Sequence, residues 1–334
     1  MHKDILIIGQ GIAGTLLSYE LMCEGKSVMV IDTPDKHKAS LVAAAVINPL
    51  IGKNWTIAKD AAMLIPHAVK TYKALGEKFE QNFLIEKDLF VFHQNVKQEQ
   101  TFADQISDGN SYLHDLGMPE TDSLKQFFFA DDKIGKVNPV YTVEAASLLR
   151  QWTSYIQAEN SFETEKFDMA DLKISTDRIA YKGISADKIV FCEGAAGRNN
   201  PLFPHVNFTT NRGDVLLLSI PELTTNHLYQ KGIRLVPRSD GLFWCGSNYT
   251  WKYDSLLPDK NWRSETEAQL KNWLKLPFEM TDHLVAERPT TAGQQTLLLQ
   301  SELHKNVYFF NGLGTRGFSA GPFLANKMAQ LLNH

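Results

Sequence analysis

The chain has 334 residues, 43% apolar and 22% charged, which is enough to bury a sizeable core and too apolar for a disordered chain. Its 34 basic and 38 acidic residues leave a net charge of −4, so there is no general pull toward nucleic acid or an anionic membrane. Three widely spaced cysteines, Cys23, Cys192 and Cys245, form no CxxC pair and read as buried core thiols rather than as disulfides or metal ligands.

Residues 5–8 are a short continuous apolar run, as expected of a parallel strand covered on both faces. A glycine-rich turn at 9–14 follows, then a helical pattern through Leu16, Leu17, Tyr19, Leu21 and Met22 that Gly25 ends, then a second strand at 27–32. This βαβ opening begins almost at Met1, so no signal or transit peptide is expected. The longest apolar stretch, 41–51, contains Asn48 and Pro49 and is too short to span a bilayer, so a cytoplasmic protein without membrane contact is expected. Helical spacing covers 60–79, with a kink or late start at Pro66. Residues 83–85 and 89–92 read as a hairpin, and 143–156 as a helix. A buried strand at 188–192 runs into Glu193-Gly194-Ala195-Ala196-Gly197. From Gly213 the texture changes to strands at 215–218, 233–237 and 241–246, separated by Pro, Asp and Gly turns, which suggests an antiparallel sheet. A strand at 307–310 and a helix at 323–332 close the chain. The expected fold is α/β (α+β overall): a Rossmann-like domain interleaved with a smaller antiparallel-sheet domain.

Gly9-Gln10-Gly11-Ile12-Ala13-Gly14 is GxGxxG between a strand and a helix. Gly9 permits the tight turn, Gly11 lets the backbone approach a pyrophosphate, and Gly14 allows close helix–sheet packing. Asp32, 18 residues after Gly14 at the end of the second strand, stands where an acid accepts hydrogen bonds from a ribose hydroxyl. The first-turn amides of the helix, including those of Ile12 and Ala13, offer a positive dipole end to phosphates. A second strand–glycine-loop–helix unit, Asn311-Gly312-Leu313-Gly314-Thr315-Arg316-Gly317-Phe318, lies near the end of the chain. A nicotinamide dehydrogenase does not need it. A flavoprotein does, because backbone N–H groups there stabilise the negative charge of a reduced isoalloxazine, and FAD is therefore the expected cofactor.

With Ala39-Ser40, Arg212-Gly213-Asp214-Val215, Val236-Pro237-Arg238-Ser239-Asp240-Gly241 and Arg288-Pro289-Thr290-Thr291, these motifs resemble, over nearly the whole length, the FAD-dependent D-amino-acid oxidase/glycine oxidase superfamily. The resemblance implies FAD with Ser40 and Gly194 near it and Gly314, Arg316 and Gly317 near the flavin ring; Gly312, Thr315 and Phe318 of the same loop are also expected to bind the cofactor. No Cys or His stands at a motif position that suggests attachment, so noncovalent FAD is expected. The segment 44–52 would lie against the isoalloxazine, and its Asn48-Pro49-Leu50 is similar to a loop in the flavin half of the bifunctional enzyme that modifies wobble uridines in tRNA. The resemblance further implies an FAD-binding domain from 1–80, 137–208 and 286–334, and a substrate domain from 81–136 and 209–285.

On the substrate side, the resemblance makes Arg288 the clamp for an amino-acid carboxylate, against the alternative of pairing with a structural acid. Tyr249 would add a hydroxyl to the same pocket, against a core or rim tyrosine. In the family the Arg-Pro motif usually continues into Asp, Pro and Gly. Here it runs Thr290-Thr291-Ala292-Gly293-Gln294-Gln295. The expected reaction is oxidation of a C–N bond in a small amine, amino acid or N-substituted amino acid, by hydride transfer to flavin N5, with molecular oxygen or another acceptor taking the electrons. The alternatives are oxidation of a modified tRNA wobble uridine, which the acidic balance disfavours, and an FAD-binding protein without turnover. The ten histidines show neither HxxxH nor HExxH spacing, so no metal is expected.

Overall fold

Alternation along the first strand, His2–Ile8, sends Ile5 and Ile7 to one side and Leu6 and Ile8 to the other, so both faces need cover. The computed structural model, which describes residues 1–35, 37–131 and 133–333, supplies it. Ile5 and Ile7 pack with Leu16, Leu17 and Leu21 of helix Ile12–Cys23 and with Phe318, Ala325 and Met328 of helix Gly317–Leu332. Leu6 and Ile8 pack with Phe191, Phe309, Ile179, Tyr181 and Phe203 on the opposite face. Leu16 and Leu17 are fully buried, and each contributes about 1.5–3 kcal/mol by leaving water.

The first sheet is parallel in the order Phe162–Thr164, Val28–Asp32, His2–Ile8, Ile184–Phe191, Val307–Asn311, with Leu297–Gln300 antiparallel beside the last. The second runs Glu279–Thr291, Phe208–Ser219, Phe243–Gly246, Ile233–Pro237, His227–Lys231, Leu84–Phe92, Ile134–Val143, Val46–Ile47. All of its neighbours along that order are antiparallel except His227–Lys231 with Leu84–Phe92, which are parallel, a departure from the expected all-antiparallel sheet. One face of it buries Leu216, Leu218, Leu235, Phe243 and Cys245 beneath Leu270 of helix Lys260–Lys271. The other face, with Val215, Leu217, Val236 and Trp244, meets Val42, Val46 and Leu50.

Other expectations need correction. Residues 83–92 form no hairpin: Leu84–Phe92 is one strand, irregular between Lys87 and Leu89, because both halves pair with the same strand, Ile134–Val143. The helix expected at 60–79 runs Ala61–Phe79 with Pro66 inside it, so it does not start late at Pro66, and the last helix starts at Gly317 rather than at 323. Cys192 and Cys245 are buried, whereas Cys23 is exposed at the last residue of its helix. Among the described residues no helix is long and apolar enough to cross a membrane.

Candidate active site

Each proposed cofactor segment leaves the carboxyl end of a parallel strand. Gly9 follows His2–Ile8, Asp32 ends Val28–Asp32, Gly194 follows Ile184–Phe191, and Gly312 follows Val307–Asn311. Crevices at that edge of an open α/β sheet are where such folds bind nucleotides. The close packing is enforced by missing side chains. Gly9 has φ +104°, and a Cβ on it would lie 2.4 Å from the Cys192 carbonyl oxygen; a Cβ on Gly14 would lie 1.9 Å from the Gly9 oxygen. At Gly11, by contrast, the nearest obstacle to a Cβ is the Ser40 hydroxyl, at 3.2 Å.

Polar groups organise the same edge. Asp32 accepts from the amides of Gln10 and Thr33, both at 2.8 Å, and pairs with Lys38. The Ser40 hydroxyl accepts from the Ile12 amide at 2.9 Å, which fixes the residues after the second strand to the helix N-terminus. The amides of Ala13 and Gly14, in the first turn, have no partner within the helix. Asn311 Nδ2 donates to the Gly194 carbonyl at 2.9 Å and so joins the turn at 194 to the last glycine loop. A nested glycine turn, an acid at the second strand's end and free helix amides fit the adenosine and pyrophosphate of FAD.

The second glycine loop meets the first at close range. A Cβ on Gly317 would lie 3.2 Å from Ile12, and one on Gly321 would lie 2.9 Å from Leu16, so the two helices pack with their N-termini side by side. Both positive ends therefore point to one place. The Gly314 amide donates to the Pro289 carbonyl at 2.9 Å, and the Arg316 guanidinium donates to Asp60 at 2.6 Å. Of the expected flavin-loop groups, the helix-start amides of Gly317 and Phe318 remain without intrahelical partners. Phe318 is buried, and its carbonyl accepts from the Tyr72 hydroxyl at 3.0 Å.

Pro289 links this loop to the substrate side, because the preceding residue is Arg288. The Arg288 guanidinium donates to Asn211 Oδ1 at 2.7 Å, to the Ser247 hydroxyl at 2.5 Å and to the Asn248 carbonyl at 3.2 Å. It lies over Gly213, where a Cβ would come within 2.1 Å of it. Its Cζ sits 4.5 Å from the centre of the Tyr249 ring, whose other side faces solvent at 57% exposure. The structure thus brings Arg288 and Tyr249 together. Among the described residues no carboxylate lies within ion-pair distance of Arg288, so pairing with a structural acid is not what holds it. Burial lowers its pKa, although a guanidinium stays charged at any ordinary pH.

Arg212, nearby, shows the opposite state. It pairs with Asp214, which is fully buried and also accepts from Asn248 at 3.2 Å and the Asp259 amide at 2.9 Å, with His283 Nε2 at 3.0 Å. Burial alone would raise the Asp214 pKa; these donors together hold it below the ordinary carboxylate value. The Asp214 amide returns a bond to Asn248 Oδ1 at 2.7 Å, so this knot fixes the loop that carries Ser247 and Tyr249.

Asn211, Ser247 and Asn248 were not singled out from the sequence, nor was Arg234, which lies on the strand Ile233–Pro237 on the same sheet face. No local signal marked them: Asn211 and Arg234 sit on strands whose inward face is fixed only by cross-strand register, and Ser247 and Asn248 lie in the loop after Phe243–Gly246.

Comparison with known proteins agrees with this fold. Over 99% of its length the chain superimposes on glycine oxidase from Bacillus cereus, with a TM-score of 0.82, 16% identity and 97% of that chain covered. It does so equally on iminodiacetate oxidase from Chelativorans sp. BNC1, with a TM-score of 0.80, 18% identity and 95% of that chain covered. At these identities the likeness speaks for the fold. It is 23% identical over 345 residues to the tRNA 5-methylaminomethyl-2-thiouridine biosynthesis bifunctional protein MnmC of Idiomarina loihiensis, a match covering 98% of this chain and 55% of that protein. The chain therefore spans about half the length of the curated relative it matches. Residues 4–331 match the family described as FAD dependent oxidoreductase, and the chain belongs to that family: it is an FAD-dependent oxidoreductase.

Proposed function

We propose that this enzyme oxidises the C–N bond of an amino acid or N-substituted amino acid whose carboxylate is held by Arg288. The observation that carries this reading is the state of the Arg288 guanidinium. It is half-buried, it donates only to neutral oxygens, and it sits one residue from the carbonyl that anchors the Gly312–Gly317 loop. A cation partly withdrawn from water with no acid in ion-pair contact is costly, and a bound carboxylate supplies that contact with matching fork geometry.

FAD, when bound, supplies the two-electron acceptor at N5. The protein's part is orientation and electrostatics. The neutral amine is the reactive form, and the positive potential around Arg288 disfavours the ammonium, so no side-chain base is required. Tyr249 stacks on the guanidinium and is assigned to the substrate side with it. We assign cofactor binding to Gly9, Gly11, Ile12, Ala13, Gly14, Asp32, Ser40, Gly194, Gly312, Gly314, Thr315, Arg316, Gly317 and Phe318. The FAD-binding unit is 1–80, 137–208 and 286–334, and the substrate unit is 81–136 and 209–285. The strands Ile134–Val143 and Glu279–Thr291 straddle those limits and tie the units together. Electrons leave to molecular oxygen or another acceptor, in a cytoplasmic protein without membrane contact.

The test is an anaerobic spectrum of purified holoprotein before and after a pool of D-, L- and N-methyl amino acids. Bleaching of the flavin supports the reading, and Arg288→Ala should then lower kcat/KM by about 10²–10³-fold, the usual cost of unpairing a buried charge contact. Flavin that stays oxidised opposes it. A second reading, oxidation at a modified tRNA wobble uridine, is favoured by the 23% match to the tRNA-modifying protein. Bleaching by undermodified tRNA, and not by the pool, would select it.

A further inference from the structure

We propose that Arg234 is a second anion anchor, so that the preferred substrate is a small amine or amino acid carrying two anionic groups, one on Arg288 and one on Arg234. This rests on the assignment of Arg288 to a substrate carboxylate.

The register of the second sheet brings the two residues to one surface. Arg234 pairs directly with Gly246, and Gly246 with Val215. Directly opposed residues share a face, as do alternate residues along a strand. Arg234 therefore lies on the face of Val215, Gly213 and Asn211, and Asn211 pairs directly with Arg288. This is the face that meets Val42, Val46 and Leu50, not the face packed on helix Lys260–Lys271. The Arg288 side chain leans across its own strand neighbour, over Gly213, and reaches Ser247, the residue after Gly246. Its tip thus stands one residue from the backbone partner of Arg234.

Neither guanidinium has a carboxylate within ion-pair distance among the described residues, although Asp214, itself paired with Arg212, lies close enough to favour the charge on Arg288. Arg234 gives Nε and Nη2 to one neutral oxygen, Gln230 Oε1, at 2.9 and 2.7 Å. Its Nη1 has no hydrogen-bond partner among the described residues. No carboxylate there lies within ion-pair distance of it, whereas Arg198, Arg212, Arg238 and Arg316 all pair with acids. Burial lowers the pKa of Arg234 as it does that of Arg288, and each feels the phenol of Tyr249. Two half-buried cations on one face, neither in an ion pair and both near one tyrosine, match a ligand with two negative ends. A substrate with a single carboxylate would leave one of them partly withdrawn from water without an anion in contact.

The test titrates the oxidised holoenzyme with non-reacting acids of matched length, acetate and propionate against malonate and succinate, and reads the flavin spectrum. The expected result is that dicarboxylates bind about tenfold or more tighter than monocarboxylates. Arg234→Met should erase that advantage while leaving monocarboxylate affinity unchanged. Because removing a half-buried side chain can unfold the protein, Gln230→Glu offers an independent route: it neutralises Arg234 in place and should also erase the advantage. Phosphonoacetate binding tighter than malonate, by way of Arg234, would make the second group a phosphate and still support the proposal. Equal affinity for mono- and dicarboxylates in the wild type would overturn it, as would equal weakening of both classes by Arg234→Met. Failure of the underlying Arg288 reading looks different: monocarboxylate binding would then be insensitive to Arg288→Met.

Discussion

Gly14 is the residue where the smallest change should have the largest effect on cofactor. A methyl group there would collide with the Gly9 oxygen at 1.9 Å, and backbone cannot move aside as a flexible side chain would. Gly14→Ala should cost about 1–3 kcal/mol of stability and sharply reduce bound FAD, read as flavin absorbance per protein and as a lower Tm. The same position was legible in the sequence, because GxGxxG after an apolar run has a mechanical meaning. Arg288 was legible through its Arg-Pro motif and the resemblance it carries. Its partners were not: Asn211, Ser247 and Asn248 are ordinary polar residues whose roles depend on cross-strand register. Gln230 and Arg234 are likewise invisible until the sheet is folded, since no local pattern tells which face of a half-polar strand is buried.

Between elements, three half-buried histidines set a pH dependence. His93 and His227 are held below the ordinary histidine value by burial, and so is His283, although Asp214 opposes that shift. A histidine whose folded pKa is depressed binds its proton more readily in the unfolded chain, so stability rises with pH through that range. Melting temperature should therefore fall as pH drops below about 6.5, the unfolded histidine value. Replacing His93 and His227 by Gln should flatten the dependence measured in thermal melts. Asp214, whose folded pKa is also depressed, adds stability above the carboxylate range that is lost only at still lower pH. At this scale the opening βαβ unit read correctly because each element had its own period and stop signal. The hairpin expected at 83–92 did not form, since Glu86-Lys87-Asp88 resembles a turn in composition while both flanking halves pair with one continuous strand. The parallel pairing of His227–Lys231 with Leu84–Phe92 joins segments far apart in the chain, and no local signal specifies it.

Across the whole molecule, three separated stretches of chain build one edge, and the second sheet is laid over it by the strands that cross between them. Trp244 on that sheet donates to the Val42 carbonyl at 2.8 Å, and Val46–Ile47 pairs with Ile134–Val143, so the segment after Ser40 is shared by both halves. The interleaving was readable from the change of texture at Gly213 and the return of a glycine loop near the end. What the arrangement achieves is proximity: the Gly314 amide bonds the carbonyl of Pro289, the residue after Arg288, so the proposed carboxylate anchor and the proposed flavin loop are tied together. The most direct measurement is anaerobic flavin reduction by an amino acid that bleaches the holoenzyme, and by its carboxamide, in the wild type and in Arg288→Ala. If Arg288 holds the substrate carboxylate, the carboxamide should react about 10²–10³-fold less efficiently with the wild type, and Arg288→Ala should show little further discrimination between the two. Equal discrimination in both proteins would mean that the carboxylate is recognised elsewhere and would contradict the account.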